Sequence, residues 1–461
     1  MGGVKDHLPA PFADEEILSL LDTICLPRPI LIKPLKVTAA FHAIYILTYP
    51  AEVVSQVYHG TAIKSTTEPF DLVLRIAGDH VPRIKTENEA AVLQWLRQNT
   101  SIPVPEVIAY DASSENPLRR EFIILNRCPG LCISDIYDSL TPKQLESILK
   151  QLIQILKELH SHAFSSIGGL THVPGDPETV VPGPILDEWF WFEPDIRDHF
   201  PPSENYTTIN ILGPFPSYTS YIAALVEKYV RTARIHQSLH FLAPFLPRLS
   251  AFISKLHEHA AVLDNVPIRL AHKDLHFANI LYDPTTERIT AIIDWEFSGT
   301  VPFPLWDPPR AFLWNGRDGE DAYNEKNRLR ERFVQMCSDE GVEYLVSDAE
   351  FTSELQEKAY KVANMMRWFT SFIPKGQFLD RVDGWMVDLA KEIETFGVLD
   401  TVHILYTIEE LPVIAGLATI EAEFDPNDWR MGEPHRMLPI VTVLSLRCTS
   451  LSPPFHTVGA K

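Results

Sequence analysis

Two short apolar segments, each ending in polar side chains, constrain the fold of this chain more than any other feature of its sequence. Residues 270–282 read LAHKDLHFANILY and place Asp274 five positions before Asn279. Residues 291–296 read AIIDWE, in which an apolar run ends at Asp294. The isoleucines and leucines beside these polar groups predict short buried strands, which would fix the loop between them. We therefore expect Asp274, Asn279 and Asp294 to converge at one site.

These three side chains carry the oxygen atoms that phosphoryl transfer from ATP requires. The reaction depends mainly on positioning the reactants and neutralising charge. We expect Asp274 to aim a substrate hydroxyl and to accept its proton. Amide and carboxylate oxygens suit Mg²⁺, so Asn279 and Asp294 are expected to hold the metal. His272 is expected to support the loop, whereas His276 is either structural or in contact with the substrate.

The composition excludes several classes of partner. A formal net charge of -21 argues against nucleic acid, because phosphate backbones are bound by clustered lysine and arginine. No run approaches the roughly 18 apolar residues of a membrane span, and the first residues lack a signal-peptide profile. The five scattered cysteines are typical of a reducing compartment. We expect a soluble cytoplasmic protein without nucleic-acid or membrane partners, whose oligomeric state stays open.

The chain changes character near Pro129 and Gly130, from rich in strands to mainly helical. The first part alternates short apolar strands with one helical segment, which predicts a small antiparallel sheet with a helix against it. The second part repeats apolar residues at helical spacing, most clearly over residues 141–162. We predict four regions: an N-terminal extension (1–29), a sheet-based lobe (30–128), a helical lobe (129–433) with an irregular insertion (164–215), and a disordered tail (434–461).

The order of the sheet-based part, the helical part and the two motifs along the chain resembles that of the aminoglycoside phosphotransferase and choline kinase-like family, most closely its fungal branch. The resemblance spans residues 36 to about 310 and includes Ser101–Pro105, Leu159–Ser161 and the H-x-D-x-x-x-x-N loop. It implies an α+β, two-lobed protein-kinase-like fold, with a small antiparallel-sheet N-lobe carrying one helix and a larger, mainly helical C-lobe. The implied activity is phosphorylation of a small-molecule hydroxyl, with ATP and Mg²⁺ as cofactors.

The same resemblance implies a phosphate-binding cation on the third strand, paired with a carboxylate on the helix. Arg75 and Glu89 fit those positions, and Lys85 is an alternative cation. Arginine keeps its charge and can bind phosphate through two N–H groups, so its replacement of lysine is compatible with function. Residues 39–43 read AAFHA and contain no glycine, which leaves a weakly active or inactive nucleotide-binding protein as the alternative function.

Further roles follow from the resemblance alone. The adenine ring is expected at the segment that joins the two lobes, held by the backbone of Leu125, Asn126, Arg127 and Cys128. Asp307 is expected to hydrogen-bond to the catalytic loop.

The insertion offers candidate substrate contacts. Residues 186–195 read LDEWFWFEPD, and this mixture of aromatic rings and carboxylates suits a cationic substrate. The candidates are Asp187, Glu188, Trp189 and Trp191. The alternative is that these aromatic side chains anchor the insertion to the core. Aminoglycosides, choline-like alcohols, sugars and secondary metabolites all stay open as acceptors.

Two other functions are less favoured. A protein kinase would carry D-F-G and A-P-E motifs, and the triplet that starts at Asp294 is D-W-E. A zinc hydrolase could use His272, Asp274 and His276 as ligands, but this would leave Asn279 without a role.

Overall fold

Alternating apolar residues build a five-stranded antiparallel sheet in the first third of the chain. The computed structural model describes residues 7–35, 41–58, 67–306 and 319–398. The strand order is β1-β2-β3-β5-β4. The strands are β1 Leu31–Pro34, β2 His42–Tyr49, β3 Phe70–Ala77, β4 Val107–Asp111 and β5 Phe122–Asn126.

The two-residue period of strand β3 determines which side chains face which helix. Leu72, Leu74 and Ile76 are fully buried against helix α1, Asp14–Thr23. The intervening Arg75 points to the other side of the sheet, where helix α3, Ile84–Asn99, packs. Strand pairing in this sheet therefore brings a cation from β3 to the inner surface of α3.

Short strands in the second part of the chain position the predicted catalytic loop. Strand β9 (Ile268–Ala271) precedes the loop and pairs with β12 (Gly299–Pro302). Strand β10 (Ile280–Asp283) follows the loop and lies between β11 (Arg288–Ile292) and β6 (Leu131–Cys132). Strand β11 ends two residues before Asp294. Both motifs therefore leave the ends of paired, buried strands.

The rest of the described chain is mainly helical. Helix α5, Pro142–Ser161, is capped by Thr141, whose hydroxyl oxygen accepts a hydrogen bond from the N–H of Gln144. The other α-helices of at least seven residues in this part of the described chain are Glu193–His199, Tyr218–Ile235, Leu246–Glu258, Glu320–Asp339, Glu354–Phe372 and Val382–Glu394. Single turns of α-helix are Val54–Val57, Ile133–Ile136, Tyr206–Ile209, Ala260–Leu263 and Tyr344–Ser347. None of the helices in these ranges combines the length and apolar character needed to cross a bilayer.

The predicted α+β architecture is confirmed, but three local predictions were wrong. The insertion at 164–215 is not irregular, because it contains a hairpin of β7 (Gly169–Val173) and β8 (Asp176–Gly183). Polar side chains of β8 stand beside its β-branched residues, so the apolar pattern that predicts a strand is absent there. Thr86, with Glu89 three positions later, has the pattern of a helix cap, but helix α3 starts at Ile84 and the Thr86 hydroxyl donates to Glu121. The small residues at 39–43 predict a turn between two strands, but His42 already lies in strand β2.

Several predicted features lie outside the described residues. These are residues 39 and 40 of the glycine-free segment, Asp307 and the tail at 434–461. The four region boundaries stay predictions.

The packing of α5 generates a stability prediction. Leu152 is fully buried on this helix, so Leu152→Ala should lower the free energy of unfolding by about 2–5 kcal/mol through lost contacts and a residual cavity. Urea denaturation measures the change. Lys150→Ala, at an exposed position of the same helix, is the control and should change the free energy by less than about 0.5 kcal/mol. An equally small loss in both variants would contradict the described packing.

Candidate active site

His272 fastens the predicted catalytic loop to the segment that carries Asp294. Its side chain is fully buried, and its Nε2 lies 2.8 Å from the backbone carbonyl of Ile293. Since a carbonyl only accepts, Nε2 carries the proton. The ring packs against Trp295 at 4.5 Å between centroids. Ser298 adds a hydrogen bond from its hydroxyl to the carbonyl of His272, at 3.1 Å. These contacts support the positioning role predicted for His272.

Asn279 contacts Asp274 directly. Its Nδ2 donates to the backbone carbonyl of Asp274 at 2.9 Å and to the carboxylate Oδ2 at 3.3 Å. Because Nδ2 of Asn279 faces Asp274, Oδ1 of the same amide points away from Asp274. The backbone carbonyl of Asn279 accepts from the N–H of Ile293 at 2.9 Å, one residue before Asp294. The three predicted residues are therefore brought together by consecutive contacts.

The two carboxylates differ in exposure from the residues beside them. The side chains of Asp274 and Asp294 are 29% and 35% exposed. His272 is fully buried, and Asn279 is 7% exposed. Both carboxylates can therefore contact solutes, whereas His272 cannot.

The backbone turns sharply at two positions of the site. Lys273 and Asp294 adopt left-handed φ values of 62° and 68°. Such conformations cost about 1 kcal/mol or more for residues other than glycine, and they often mark functional sites. The Lys273 ammonium donates to the carbonyl of Leu186, which ties the catalytic loop to the insertion.

Arg75 connects the sheet and the helix α3 to Asp294. Its Nη1 donates to Glu89, and its Nη2 donates to Oδ1 of Asp294 at 3.0 Å. Burial alone would lower the pKa of Arg75, but the charges of Glu89, Asp294 and Glu296 outweigh it and raise the pKa. Burial raises the pKa of the Glu89 carboxyl, which also faces the carboxylates of Glu296 and Asp294. Arg75 thus stays charged at the centre of an acidic cluster.

Lys85, the alternative cation, lies elsewhere in the same cluster. Its Nζ donates to Oε2 of Glu296 at 2.7 Å and approaches Nε2 of His42 at 2.8 Å. Burial, followed by the charges of Lys85 and Arg75, lowers the pKa of His42 well below its usual range, so this ring is neutral. Arg75, and not Lys85, occupies the position between Glu89 and Asp294.

The sequence analysis assigned no role to His42, Glu296 or Asn88. Asn88 Nδ2 donates to the carbonyls of Glu296 and Ser298, at 3.1 and 2.9 Å. A signal existed for Glu296, because it follows Asp294 by two positions within the same motif. No pattern of spacing marked His42 or Asn88.

Within the acidic cluster, the carboxylates of Glu89 and Glu296 already have cationic partners. Among the described residues, the possible ligand atoms of His42, Glu89 and Glu296 lie within 4.8 Å of one another. Arg75 and Lys85 donate into this same volume and supply the positive charge.

The zinc alternative finds no support at the catalytic loop. Nε2 of His272 is engaged by the carbonyl of Ile293, and Nδ1 of His276 accepts from the N–H of Ala278 at 3.1 Å. The other nitrogen of His276 lies 3.4 Å from Oδ1 of Asp274. Burial lowers the pKa of His276, but the charge and hydrogen bond of Asp274 outweigh it and raise the pKa. This histidine therefore supports Asp274.

The segment expected to bind adenine is largely engaged in the sheet. The N–H of Asn126 donates to the carbonyl of Glu106, and that of Arg127 donates to the carbonyl of Asp71. Leu125 is buried between strands β3 and β4. These two N–H groups are therefore already bonded, and the expected contact of adenine with the backbone of Leu125, Asn126, Arg127 and Cys128 stays a prediction.

The aromatic residues of the insertion already contact internal cations. The Arg367 guanidinium lies 4.9 Å from the ring centroid of Trp189, and the Lys375 ammonium lies 4.7 Å from that of Trp191. Trp191 is also buried. These contacts favour the alternative in which the two tryptophans anchor the insertion.

Asp187 and Glu188 are placed differently from the tryptophans. Asp187 is buried, and its carboxylate accepts from the N–H of Trp189 at 2.9 Å. Glu188 is half-buried; burial and the nearby charge of Asp274 raise the pKa of its carboxyl. Glu188 is thus the residue of this group that the structure places near the predicted base.

Comparison with a protein-family model agrees with this geometry. A model described as "Phosphotransferase enzyme family" matches residues 52–325, which is more than half of the chain.

Curated relatives are more distant. A subtelomeric hrmA-associated cluster protein of Aspergillus fumigatus is 27% identical over 47% of this chain and 50% of its own length. Clavilactone A biosynthesis cluster protein Y of Ampulloclitocybe clavipes is 25% identical over 48% of this chain and 53% of its own length. Altered inheritance of mitochondria protein 9, mitochondrial, of Zygosaccharomyces rouxii is 24% identical over 68% of this chain and 56% of its own length. The chain spans about half the length of the curated relatives it matches.

Similarity to solved structures is weaker still. The aminoglycoside phosphotransferase APH(4)-Ia is 14% identical, with a TM-score of 0.40, over 84% of this chain and 97% of that one. A TM-score at this level carries no argument about function.

The burial of His272 predicts a pH-dependent stability. Burial lowers its pKa below the usual value of about 6.5. The unfolded chain therefore binds this proton more readily, so the contribution of His272 is complete above pH 6.5 and is lost as the pH falls below it. His272→Asn should reduce the loss of unfolding free energy between about pH 7.5 and 5.5 by roughly 1 kcal/mol.

Urea denaturation at the two pH values measures this loss. His257→Asn, at an exposed position, is the matched control and should leave the loss unchanged. The same pH dependence in His272→Asn and in the unmodified protein would contradict the prediction.

Proposed function

The chain belongs to the phosphotransferase enzyme family, and we propose on this premise that it transfers the γ-phosphoryl group of ATP to a hydroxyl of a small molecule. The observation that carries the proposal is the contact chain from Asp274 through Asn279 to the segment of Asp294. It joins a partly exposed carboxylate to an amide and a second carboxylate, which is the set that phosphoryl transfer uses.

Asp274 would act as the base. As the acceptor oxygen forms its bond to the γ-phosphorus, the bond from that phosphorus to the β–γ bridging oxygen breaks, and ADP leaves. Asp274 would receive the proton of the acceptor hydroxyl. The amide of Asn279 and the ring of His276 hold this carboxylate from two sides, at 3.3 and 3.4 Å, so its orientation is set before substrate arrives.

The residues present fit Mg²⁺ and ATP phosphates. Asn279 and Asp294 would hold Mg²⁺ through an amide and a carboxylate oxygen, the hard donors that this ion prefers. When bound, the ion neutralises negative charge on the phosphates. Arg75 would contact phosphate oxygens with its planar guanidinium, positioned by Glu89.

The acceptor is proposed only as a class. Glu188, near Asp274, would contact the acceptor by hydrogen bond or charge. Aminoglycosides, choline-like alcohols, sugars and other hydroxylated metabolites are the compounds to test. Measuring ADP release with a panel of these compounds identifies the acceptor, and no release above the rate with water would favour the alternative function, a nucleotide-binding protein without transfer activity.

The proposed compartment is the cytoplasm, on the evidence of cysteine usage. The competing possibility is an organelle, since a relative is named as mitochondrial. Fluorescence microscopy of the tagged full-length chain decides between the two.

Asp274→Asn should remove the base without removing the nucleotide site. With the acceptor that gives the fastest ADP release, kcat should fall by about 10²- to 10⁴-fold, because the amide cannot take the proton. Asp388→Asn, at an exposed position, is the control and should leave kcat unchanged. Retention of most activity in Asp274→Asn would contradict its assignment as the base.

Asp294→Asn should weaken the binding of nucleotide only when Mg²⁺ is present. In the unmodified protein, Mg-ATP should raise the melting temperature, because a ligand that binds the folded state stabilises it. In Asp294→Asn this rise should shrink to the level seen with ATP and EDTA. An undiminished rise with Mg-ATP would contradict the assignment of Asp294 as a metal ligand.

A further inference from the structure

The proposed mechanism gives no role to Lys85, a buried cation beside the site. Lys85 lies in the first turn of helix α3 and is 1% exposed. A buried ammonium is costly unless charged and hydrogen-bonding partners compensate it. Its partners are Oε2 of Glu296 and Nε2 of His42, at 2.7 and 2.8 Å. Neither partner takes part in the proposed chemistry.

His42 lies between the charged groups of this cluster. Lys85 can only donate, so Nε2 of His42 accepts from it. Nδ1 of His42 lies 3.2 Å from Nη2 of Arg75 and 3.4 Å from Oε2 of Glu296. Lys85, His42 and Glu296 thus form a closed ring of contacts beside Arg75, which we call the Lys85 triad.

The triad joins three parts of the nucleotide site. Lys85 belongs to the helix that carries Glu89, and His42 starts the strand that follows the glycine-free loop. Glu296 follows Asp294 by two residues. Asn88, one turn after Lys85, also holds the carbonyl of Glu296. Helix α3 therefore contacts Glu296 twice: Lys85 binds its carboxylate, and Asn88 binds its backbone carbonyl.

Within the triad, Glu296 is shared between Lys85 and Arg75. Oε2 of Glu296 lies 3.4 Å from Nη2 of Arg75 and 2.7 Å from Nζ of Lys85. The same Nη2 donates to Asp294. With Lys85 present, Glu296 has a closer counterion than Arg75. Without Lys85, a buried carboxylate would attract the guanidinium away from Asp294.

We propose that Lys85, His42 and Glu296 are positioning residues that keep Arg75 directed toward the phosphates of the nucleotide. The proposal rests on the proposed function, since it assigns a role within the same ATP site. Lys85 acts through Arg75 and does not itself contact phosphate.

The test removes Lys85 first and then the carboxylate that it neutralises. In Lys85→Met, Glu296 competes for the Arg75 guanidinium, and calorimetric titration with the Mg²⁺ complex of AMP-PNP should show a Kd at least about tenfold higher than that of the unmodified protein. In Lys85→Met/Glu296→Gln the competing charge is gone as well, and the Kd should return to within about threefold of that of the unmodified protein. The matched control is Lys358→Met/Glu392→Gln, a second Lys–Glu pair at 3.3 Å, which should bind as the unmodified protein does.

A double-mutant cycle separates positioning from general destabilisation. Arg75→Met should weaken binding about tenfold in the unmodified protein and in Lys85→Met/Glu296→Gln, but less than about threefold further in Lys85→Met. Fully additive losses in Lys85→Met would overturn the proposal, and so would unchanged affinity in Lys85→Met or weakened affinity in the double variant. If Lys85→Met does not fold, the double variant still tests the proposal, because it carries no uncompensated charge and is expected to bind as the unmodified protein does.

The titration also distinguishes the two proposals. An unmodified protein that does not bind the Mg²⁺ complex of AMP-PNP would overturn the proposed function and the triad together. Binding by the unmodified protein with equal affinity in Lys85→Met would overturn the triad alone.

Discussion

The site depends on the buried contact of Arg75 with Glu89 and Asp294. One guanidinium joins a strand of the sheet, the helix behind it and the segment that would hold the metal. A buried arginine requires paired carboxylates, because an isolated charge in the interior is very costly. The pairing therefore fixes how the sheet and the catalytic segments sit relative to each other. Asp294, which Arg75 contacts, and Asp274 are both partly exposed.

Much of this could be predicted from the sequence, because it depends on local patterns. The long helix after Thr141 follows from a capping residue and a regular apolar stripe. Asp274 and Asn279 are five positions apart in one short loop, so their proximity needs no contact with distant parts of the chain. The two-residue period of the third strand turns Arg75 toward the helix, where Glu89 meets it.

The rest depends on contacts between distant residues, which leave no periodic pattern. Lys85 and Glu296 are separated by 211 positions and His42 lies in another strand, so no spacing connects the three. The hairpin of the insertion was missed because its second strand carries polar residues on an exposed surface. The expected roles of Trp189 and Trp191 could not be separated from anchoring until Arg367 and Lys375 were seen above their rings.

The central claim is that Asn279 and Asp294 hold a divalent ion beside Asp274. A crystal structure with AMP-PNP and Mn²⁺ in place of Mg²⁺ tests it most directly, because the anomalous signal locates the metal. The account predicts a metal peak at about 2–2.5 Å from Oδ1 of Asn279 and from a carboxylate oxygen of Asp294. A peak elsewhere, for example among His42, Glu89 and Glu296, would contradict the account.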